Sequence, residues 1–279
     1  LNIKKNRNKN KNILIVSYLL NYNKKLLLEG VFHSDYWGKL PSELKKRGYS
    51  IDWLHVFGDS NKQLNEFITT TNNITKNNNN ENHYFLEKNF SLNIFFEVII
   101  KYFKLIFANY KLYFAKKNFK FRESNINLWD IFKNDWRDSI FGSLAIRNIL
   151  VFKLFKKNAD TLPPSSKVLY LHEGQGWEKA LINNFRLNTE LIGVIQSPIR
   201  FWDVKIYDYV PSEYNFNKYK FYFPDNLAIN SEFGFKMINE INNLTPLSKV
   251  EPLRAEPIFQ TEDKLIKSNN NSKIKILIL

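Results

Sequence analysis

The stretch VLYLHEGQGWEKALINNFR, residues 168–186, decides the fold. It opens with a short apolar run, VLYL, of the kind that forms a buried parallel strand. The second half, GWEKALINNFR, predicts a helix, and Gly174 and Gly176 allow the chain to turn tightly before it. A strand that passes directly into a helix is the repeating unit of a parallel α/β sheet.

Similar units lie on both sides of this stretch. NILIVSYLL at 12–20 predicts a first strand, DYWGKLPSELKKRGYS predicts a helix that ends at Gly48, and IDWLHVF at 51–57 predicts the next strand. Downstream, further strands are predicted at 190–197 and 226–231, with a helix at 232–241 and a short strand or loop in VEPLRAEPIF. This order predicts a doubly wound parallel sheet with flanking helices.

An insertion at about 60–160 interrupts the series. Residues 60–83 are rich in Asn and Thr, which predicts a flexible loop. Residues 84–158 have a mostly helical pattern, with one basic, aromatic segment at 92–121 and a second helical segment at 128–157. The first segment could pack on the sheet, lie in a membrane interface or contact nucleic acid, and packing is favoured.

Composition limits the function. The 279 residues include no cysteine, which excludes disulfides, thiolate metal sites and a cysteine nucleophile. The net charge of +14, from 41 Lys and Arg against 27 Asp and Glu, could indicate an anionic partner. A bias toward Lys and Asn codons explains it equally directly and is favoured, so no nucleic-acid partner is expected.

Several motifs of common enzyme classes are missing from the sequence. It contains no phosphate-binding P-loop, no G-x-G-x-x-G after the first strand, no H-E-x-x-H and no G-x-S-x-G. The four histidines have no metal-ligand spacing, and no metal site or cofactor is predicted. No apolar stretch reaches the roughly 18 residues that a membrane-spanning helix needs.

The strongest candidate site follows the strand at 168–173. His172, Glu173 and Gln175 stand where this strand ends, and ligands gather at the carboxyl ends of strands in an open α/β sheet. A carboxylate there could bind hydroxyl groups or act as a general base. The alternative is that Glu173 only caps the following helix, whose dipole favours a negative charge.

Polar residues also follow the other predicted strands. At the first junction Glu29, His33 and Asp35 are candidates, while Ser34 or Asp35 could equally be the cap of the next helix. Trp37 could stack on a sugar ring or pack on the sheet. Three more candidates follow later strands: Ser197, Arg200 and Asn230. Arg200 could bind a phosphate. Ser231, next to Asn230, is expected only to cap the following helix.

Three segments together resemble the surface-carbohydrate (O-antigen) biosynthesis proteins of bacteria: EGVFHSDYWGKLP, WRDSIFGSLAIRN and YLHEGQGWEKAL. These resemble GT-B glycosyltransferases, in which two Rossmann-like domains face each other across a cleft. More distantly, HEGQGWEKALI is similar to a Glu-containing motif of Kdo transferases. The sequence has HEGQGWE where those enzymes have Glu-Thr-Glu-x-Trp-Pro, so the resemblance does not extend to Kdo specificity.

The resemblance implies that this chain is the N-terminal, acceptor-side half of a GT-B-type fold. On that basis the nucleotide-sugar would be a substrate bound mainly by a C-terminal half, and this piece alone would be inactive. Four regions are expected: a disordered basic tail at 1–12, a Rossmann-like domain at 13–260, a linker at 261–272 and the first strand of a truncated second domain at 273–279.

The resemblance implies sugar transfer from a nucleotide donor to a saccharide or lipid-linked acceptor. Glu173 is the expected base, supported by His172 and Gln175, and a cytoplasmic protein with possible contact to the inner membrane face is expected. The alternatives are a non-catalytic saccharide-binding assembly or export protein and, with less support, a basic nucleic-acid-binding protein.

Overall fold

The computed structural model describes residues 11–19, 22–57, 68–69, 71, 81–111, 116, 119–120, 126–187, 189–200, 222–241 and 245–255. The predicted tail at 1–12 therefore lies almost entirely outside the described residues. The predicted linker at 261–272 and the predicted strand at 273–279 lie wholly outside them.

Seven strands form one sheet in which every pairing is parallel. They are β1 (Asn12–Tyr18), β2 (Ser50–Val56), β3 (Glu81–Phe85), β4 (Lys167–Leu171), β5 (Glu190–Ile195), β6 (Asn226–Ile229) and β7 (Leu247–Lys249). Their order across the sheet is β3-β2-β1-β4-β5-β6-β7. The predicted α/β class, a Rossmann-like parallel sheet with flanking helices, is confirmed.

Seven α-helices accompany the strands in the described residues. They are α1 (Lys24–Leu28), α2 (Leu40–Lys46), α3 (Leu92–Lys111), α4 (Trp129–Phe141), α5 (Ser143–Thr161), α6 (Gly176–Phe185) and α7 (Glu232–Ile241). Short 3-10 turns occupy Leu86–Asn89 and Leu253–Ala255. The helices α3, α4 and α5 form the predicted insertion between β3 and β4.

Both faces of the sheet are buried, which explains the nearly continuous apolar strands. On one face Val16 and Tyr170 pack with Phe155 of α5 and Leu181 of α6. On the other face Ile15 and Leu171 belong to a second cluster that contains Trp37. Because successive side chains of a strand point to opposite faces, a strand covered on both sides needs apolar residues at every position.

The strand order reverses between β1 and β4. β1 pairs with β2 on one side and with β4 on the other, so the connections leave the middle of the sheet in opposite directions. The chain segments that follow β1 and β4 must therefore diverge and leave a crevice at the carboxyl edge. This is the position at which open α/β sheets bind ligands.

The helix predicted from 35 onward begins later than expected. α2 starts at Leu40 with Lys39 as its N-cap, so neither Ser34 nor Asp35 caps it. Gly38 has a φ of 47°, a left-handed conformation that cannot continue into a right-handed helix. The predicted end is confirmed, because Gly48 follows α2 with a φ of 83°.

The prediction of a loop over the whole of 60–83 was wrong at its end. Residues 81–83 belong to β3, which pairs with β2, while most of 60–80 lies outside the described residues. The strand was missed because its inward residues include Glu81 and His83, which look like surface residues. Both are buried, Glu81 accepts a hydrogen bond from Trp53, and Nδ1 of His83 contacts His55.

Two other boundaries differ from the predictions. The helical segment predicted at 128–157 is two helices, α4 and α5, which separate at Gly142. A side chain at Gly142 would place its Cβ 1.6 Å from Oδ1 of Asp138, so the break requires glycine. The last short strand, β7, lies just before the segment in which it was predicted.

Candidate active site

The loop between β4 and α6 is held by one buried carboxylate. Oε1 of Glu178 accepts hydrogen bonds from the backbone N–H groups of Glu173 and Gln175, both at 2.9 Å. Its Oε2 accepts from the N–H of Gly174 at 3.2 Å. Gln175 is the N-cap residue of α6, so Glu178 stands at the third helical position, where an acidic residue satisfies free N–H groups.

Burial controls the ionisation of Glu178. The side chain is fully buried, and this raises the pKa of its carboxyl to about 7, against the opposing effect of the three backbone hydrogen bonds. Gly174, in the middle of the loop, has a φ of 70°. That left-handed conformation lets three consecutive N–H groups converge on one carboxylate, which is why a glycine stands there.

His172 lies directly beneath this loop. Its Nδ1 is 3.3 Å from Oε2 of Glu178 and 3.1 Å from the hydroxyl of Tyr170. Burial lowers the pKa of His172 to about 3, with a smaller contribution from the positive charge of Lys179. The imidazole is therefore neutral at neutral pH, and its contact with Glu178 is a polar contact and not an ion pair.

A glycine of the neighbouring strand makes room for His172. A Cβ added to Gly193 would stand 3.1 Å from the Cβ of His172 and 3.0 Å from the hydroxyl of Tyr170. A glycine inside a strand often marks such a close approach. The position of His172 is thus fixed by β4, β5 and α6 together.

Glu173 is the carboxylate that remains available. It is half-buried, and the hydroxyl of Ser197, which follows β5, donates to its Oε1 at 3.4 Å. Since Glu178 accepts from the loop N–H groups, the alternative in which Glu173 caps α6 is wrong. The structure therefore brings together two predicted site residues, Glu173 and Ser197, across the ends of adjacent strands.

Tyr18 ends β1 on the other side of the crevice. Its hydroxyl accepts a hydrogen bond from Nε1 of Trp177, and the two rings meet edge to face at 5.4 Å. Burial raises the pKa of Tyr18, the Trp177 bond lowers it, and the negative charges of Glu178 and Glu173 raise it further. The positive charge of Arg147 on α5 acts in the opposite direction, so the Tyr18 hydroxyl lies in the combined field of all these groups.

Asn230 and Gln196 complete the edge toward β6. Nδ2 of Asn230 donates to the backbone carbonyl of Gln196 at 3.0 Å, which ties the end of β6 to the end of β5. The side chain of Gln196 is buried, and within the described residues neither of its amide atoms has a hydrogen-bond partner. Ser231 accepts from the N–H of Gly234 at 3.0 Å, which confirms it as the cap of α7.

The candidates at the first junction form a separate group. Glu29 is exposed at the end of α1, and Nε2 of the half-buried His33 lies 3.9 Å from Oδ1 of the exposed Asp35. Trp37 has none of its surface exposed and belongs to the core, so its ring packs and is not presented for stacking on a sugar. Arg200 is exposed in the segment after β5.

Sequence reasoning missed Tyr18, Glu178 and the contribution of Arg147. Tyr18 could have been found as the last residue of the strand that leads into the switch point. Glu178 could have been found from its spacing, because Gln175 followed three residues later by Glu178 matches the helix N-terminus pattern. Arg147 carries no local signal, since only the packing of α5 brings it near Tyr18.

A second group of buried titratable side chains lies on β2 and β3. Nε2 of His55 is 3.0 Å from Nδ1 of His83, and Nε1 of Trp53 donates to Oε1 of Glu81 at 2.7 Å. The rings of Trp53, His55 and His83 are nearly parallel, and Phe32 covers all three edge-on at 4.9 to 5.1 Å.

Burial lowers the pKa of His55 to about 3 and the pKa of His83 well below its ordinary value. Lys45 forms an ion pair with Glu81, so the carboxylate of this group is neutralised within the group. Phe32 belongs to the core cluster together with Trp53. The group is closed and aromatic, which is the character of a packed interior and not of a ligand site.

A cavity of about 330 Å³ lies at the opposite, amino edge of the sheet. All eight residues that line it are uncharged, and they come from the end of α5, the approach to β4 and the end of α6. This cavity therefore presents no side chain that could transfer a proton or pair with an anion by charge. Among the described residues no set of three or more His, Asp and Glu side chains is arranged to hold a metal ion.

No family model matches the sequence, and no curated protein matches it either. Among solved structures, the crystal structure of TcCGT1 in complex with UDP is similar to this chain, with a TM-score of 0.37 and 10% sequence identity. The alignment covers 88% of this chain and 51% of TcCGT1, so the chain spans about half the length of that protein. UDP is the ligand of TcCGT1, and a likeness at this level identifies neither a ligand nor a reaction for this chain.

Proposed function

We propose that this chain forms the acceptor side of a glycosyltransferase of bacterial surface-polysaccharide synthesis. The proposal combines the Rossmann-like sheet with the resemblance of three sequence segments to O-antigen biosynthesis proteins. In it, a sugar passes from a nucleotide-activated donor to a saccharide or lipid-linked acceptor. The carboxyl edge near the switch point between β1 and β4 binds the acceptor.

One observation carries the proposal. Glu178 binds the backbone N–H groups of the β4–α6 loop, which leaves the Glu173 carboxylate free of any capping role. Glu173 contacts Ser197 at the edge where parallel sheets bind ligands. A half-buried carboxylate on a loop fixed from below is suited to hold a hydroxyl group in one orientation.

The chemical step follows from that position. Glu173 takes the proton of the acceptor hydroxyl while the hydroxyl oxygen attacks the anomeric carbon of the donor sugar. The bond between that carbon and the phosphate oxygen of the nucleotide breaks, and the nucleotide leaves with the bonding electron pair. Ser197 orients the carboxylate, and His172 and Glu178 position the loop without touching the substrate.

The supporting residues have less specific roles. In this proposal Gln175, Asn230 and the exposed Arg200 lie along the same edge, where they would bind acceptor hydroxyls or an anionic group. Glu29, His33 and Asp35 would line the mouth of the crevice. The donor would be held mainly by protein outside this chain, and we place the reaction in the cytoplasm, where nucleotide-sugars are made.

The experiment uses the protein from its complete gene. It is incubated with a panel of UDP-, GDP- and CMP-sugars and with saccharide and lipid-linked acceptors, and mass spectrometry detects acceptors that have gained one sugar. The Glu173→Gln variant is compared with Glu190→Gln. Glu190 is an exposed carboxylate that pairs with Lys167 at the amino edge of the same sheet.

Sugar gain by the wild type and by Glu190→Gln, with a loss on the order of 100-fold or more in Glu173→Gln, is the expected result. Binding of saccharides at the edge without any transfer would favour a non-catalytic assembly protein instead. Equal transfer by a folded Glu173→Gln variant would remove Glu173 from the chemistry.

A further inference from the structure

Helix α3 carries an apolar stripe on its outer surface. Leu92, Phe96, Ile100, Phe103 and Phe107 are spaced four, four, three and four residues apart, which places them on one face of the helix. The stripe is roughly 22 Å long at 1.5 Å per residue. All five side chains are exposed, with 73% of Leu92 and 75% of Phe107 accessible to solvent.

The same helix already packs on the protein with another face. Ile94 and Val98 are buried in the core cluster with Leu154 of α5. A residue two positions along a helix is turned by about 200°, so Phe96 and Ile100 point away from this packed face. The stripe therefore is not the core-facing side of α3, and packing on the sheet does not explain it.

The end of α4 lies close to α3. The hydroxyl of Tyr102 on α3 donates to the backbone carbonyl of Phe141 at the end of α4, at 2.6 Å. The Phe141 side chain is itself exposed. An exposed apolar stripe of the length found on α3 usually marks a binding surface.

Charge identifies the kind of partner. Lys104 is exposed one turn from both Ile100 and Phe107, at the border of the stripe, while the exposed Lys101 lies nearer to the packed face. Glu97, which is the only acidic residue in the α3 sequence, is paired with Lys153 of α5. The surface beside the stripe is therefore positive, and the whole chain carries a net charge of +14.

A second copy of the chain would bring like charges together, which disfavours self-association through this face. An anionic lipid surface matches both features, because it accepts aromatic and aliphatic side chains and attracts lysines. No helix among the described residues is long and apolar enough to cross a membrane, so such contact would be interfacial.

We propose that the α3 stripe inserts into the headgroup region of an anionic membrane, with α3 lying parallel to the bilayer plane. Phe96, Phe103 and Phe107 enter the apolar boundary, and Lys104 at the border of the stripe faces the anionic headgroups. This docking surface is separate from the carboxyl edge, and it does not depend on the proposed sugar transfer.

The test measures binding of the 279-residue chain to sedimenting vesicles. One vesicle type is phosphatidylcholine alone, and the other contains about 30% phosphatidylserine, which supplies the negative surface potential. The stripe variant combines Phe96→Ser, Phe103→Ser and Phe107→Ser. The matched control combines Leu28→Ser, Leu187→Ser and Phe233→Ser, three apolar residues that are equally exposed elsewhere.

The wild type and the control are expected to bind the anionic vesicles with equal affinity. The stripe variant is expected to bind on the order of tenfold more weakly or less, because it loses three buried apolar groups. A Lys104→Gln variant should lose part of the preference for phosphatidylserine, and Lys101→Gln should not. Circular dichroism verifies that each variant folds, which is expected because all the substituted residues are exposed.

Three results would overturn the proposal. Wild-type protein that does not bind the anionic vesicles would exclude a membrane role for the chain. Equal binding by the stripe variant and the control would place the contact elsewhere. A dimer seen by analytical ultracentrifugation that dissociates only in the stripe variant, without vesicle binding, would identify a second copy as the occupant.

Discussion

Two regions of this molecule bury a histidine close to a carboxylate, and they differ in what surrounds that pair. In the β2–β3 region, His83 lies beside Glu81, Lys45 pairs with Glu81, and Phe32 covers the rings. In the β4–α6 region, His172 lies beside Glu178, and this carboxylate accepts from the backbone of a loop.

The two regions differ in whether the buried histidine and carboxylate hold a more exposed polar residue in place. The polar side chains of the β2–β3 group lie within the strands and contact one another, and Phe32 covers their rings. The β4–α6 group supports Glu173, whose half-buried carboxylate stands beside Ser197 at the edge of the sheet. The proposed function therefore depends on the partly exposed Glu173, on the loop that Glu178 holds, and not on the buried histidine.

Removal of the loop anchor should have the largest effect on stability. Glu178→Ala leaves three backbone N–H groups without their acceptor, and we expect the free energy of unfolding to fall by about 3 kcal/mol or more. Urea denaturation measures this change. Glu178→Gln keeps one oxygen acceptor and should cost less than half as much, whereas equal stability of the wild type and Glu178→Ala would mean that the anchor contributes nothing.

The buried histidines should make stability depend on pH. Unfolded histidines bind a proton below a pH of about 6.5, while His55 stays neutral in the folded protein down to about 3. The free energy of unfolding therefore falls as the pH falls through this window. His55→Phe should reduce that slope by about 1.4 kcal/mol per pH unit, because the unfolded variant binds one proton fewer. Urea denaturation at a series of pH values measures the slope.

Glu178 provides a control of opposite sign. Its pKa in the folded protein, about 7, is above the ordinary value of 4.5, so its contribution to stability is lost as the pH rises toward 7. Glu178→Gln should therefore make the rise of stability with pH steeper between those values, while His55→Phe makes it shallower. Slopes that change in the same direction would contradict the assigned ionisation states.

A smaller effect is expected at the strand glycine. Gly193→Ala places a methyl group 3.0 Å from the Tyr170 hydroxyl and 3.1 Å from Cβ of His172. We expect a loss of about 1–2 kcal/mol from the overpacked contact, measured by thermal and urea unfolding. Gly176→Ala is the matched control, because its added methyl group has only one neighbour, at 4.0 Å. A loss of equal size in the control would mean that the fit around His172 is not tight.

The smallest effect is expected at the edge of the site. Ser197→Ala removes one long hydrogen bond to Glu173, and the free energy of unfolding should change by less than about 0.5 kcal/mol. Transfer activity should fall a few-fold, because the carboxylate loses a positioning contact. A threonine at position 197 keeps the hydroxyl group and should restore activity, and an inactive Ser197→Thr variant would point to a steric role.

Much of the fold could be predicted from the sequence because both sheet faces are buried. Runs such as ILIV in β1 and VLYL in β4 are apolar at every position, and each passes into a turn or helix signal. β3 was missed for the reverse reason, since its inward residues are a glutamate and a histidine. Their burial depends on Lys45, Trp53 and His55, which no local pattern brings together.

The grouping of Glu173 with Ser197 at the candidate site could be predicted from the sequence, but the roles of the two glutamates could not. The end of β4 was identified from the His-Glu-Gly-Gln-Gly sequence, and the contact between Glu173 and Ser197 follows from the parallel pairing of β4 and β5. Both Glu173 and Glu178 lie near the start of α6, and the sequence does not show which one anchors the loop. In the structure the Glu178 side chain is buried against the loop N–H groups. For Trp37 the sequence left stacking on a sugar and packing on the sheet both open, because aromatic side chains suit either role, and the structure puts it in the core.

The most direct measurement compares Glu173→Gln with Glu178→Gln in both unfolding and sugar transfer. We predict that Glu173→Gln keeps the free energy of unfolding within about 0.5 kcal/mol of the wild type and lowers kcat/KM on the order of 100-fold or more. Glu178→Gln should lose stability and lose activity only to the extent that the loop is loosened. A Glu173→Gln variant that unfolds more easily but transfers sugar at the wild-type rate would contradict the assignment of Glu173 as the reacting carboxylate.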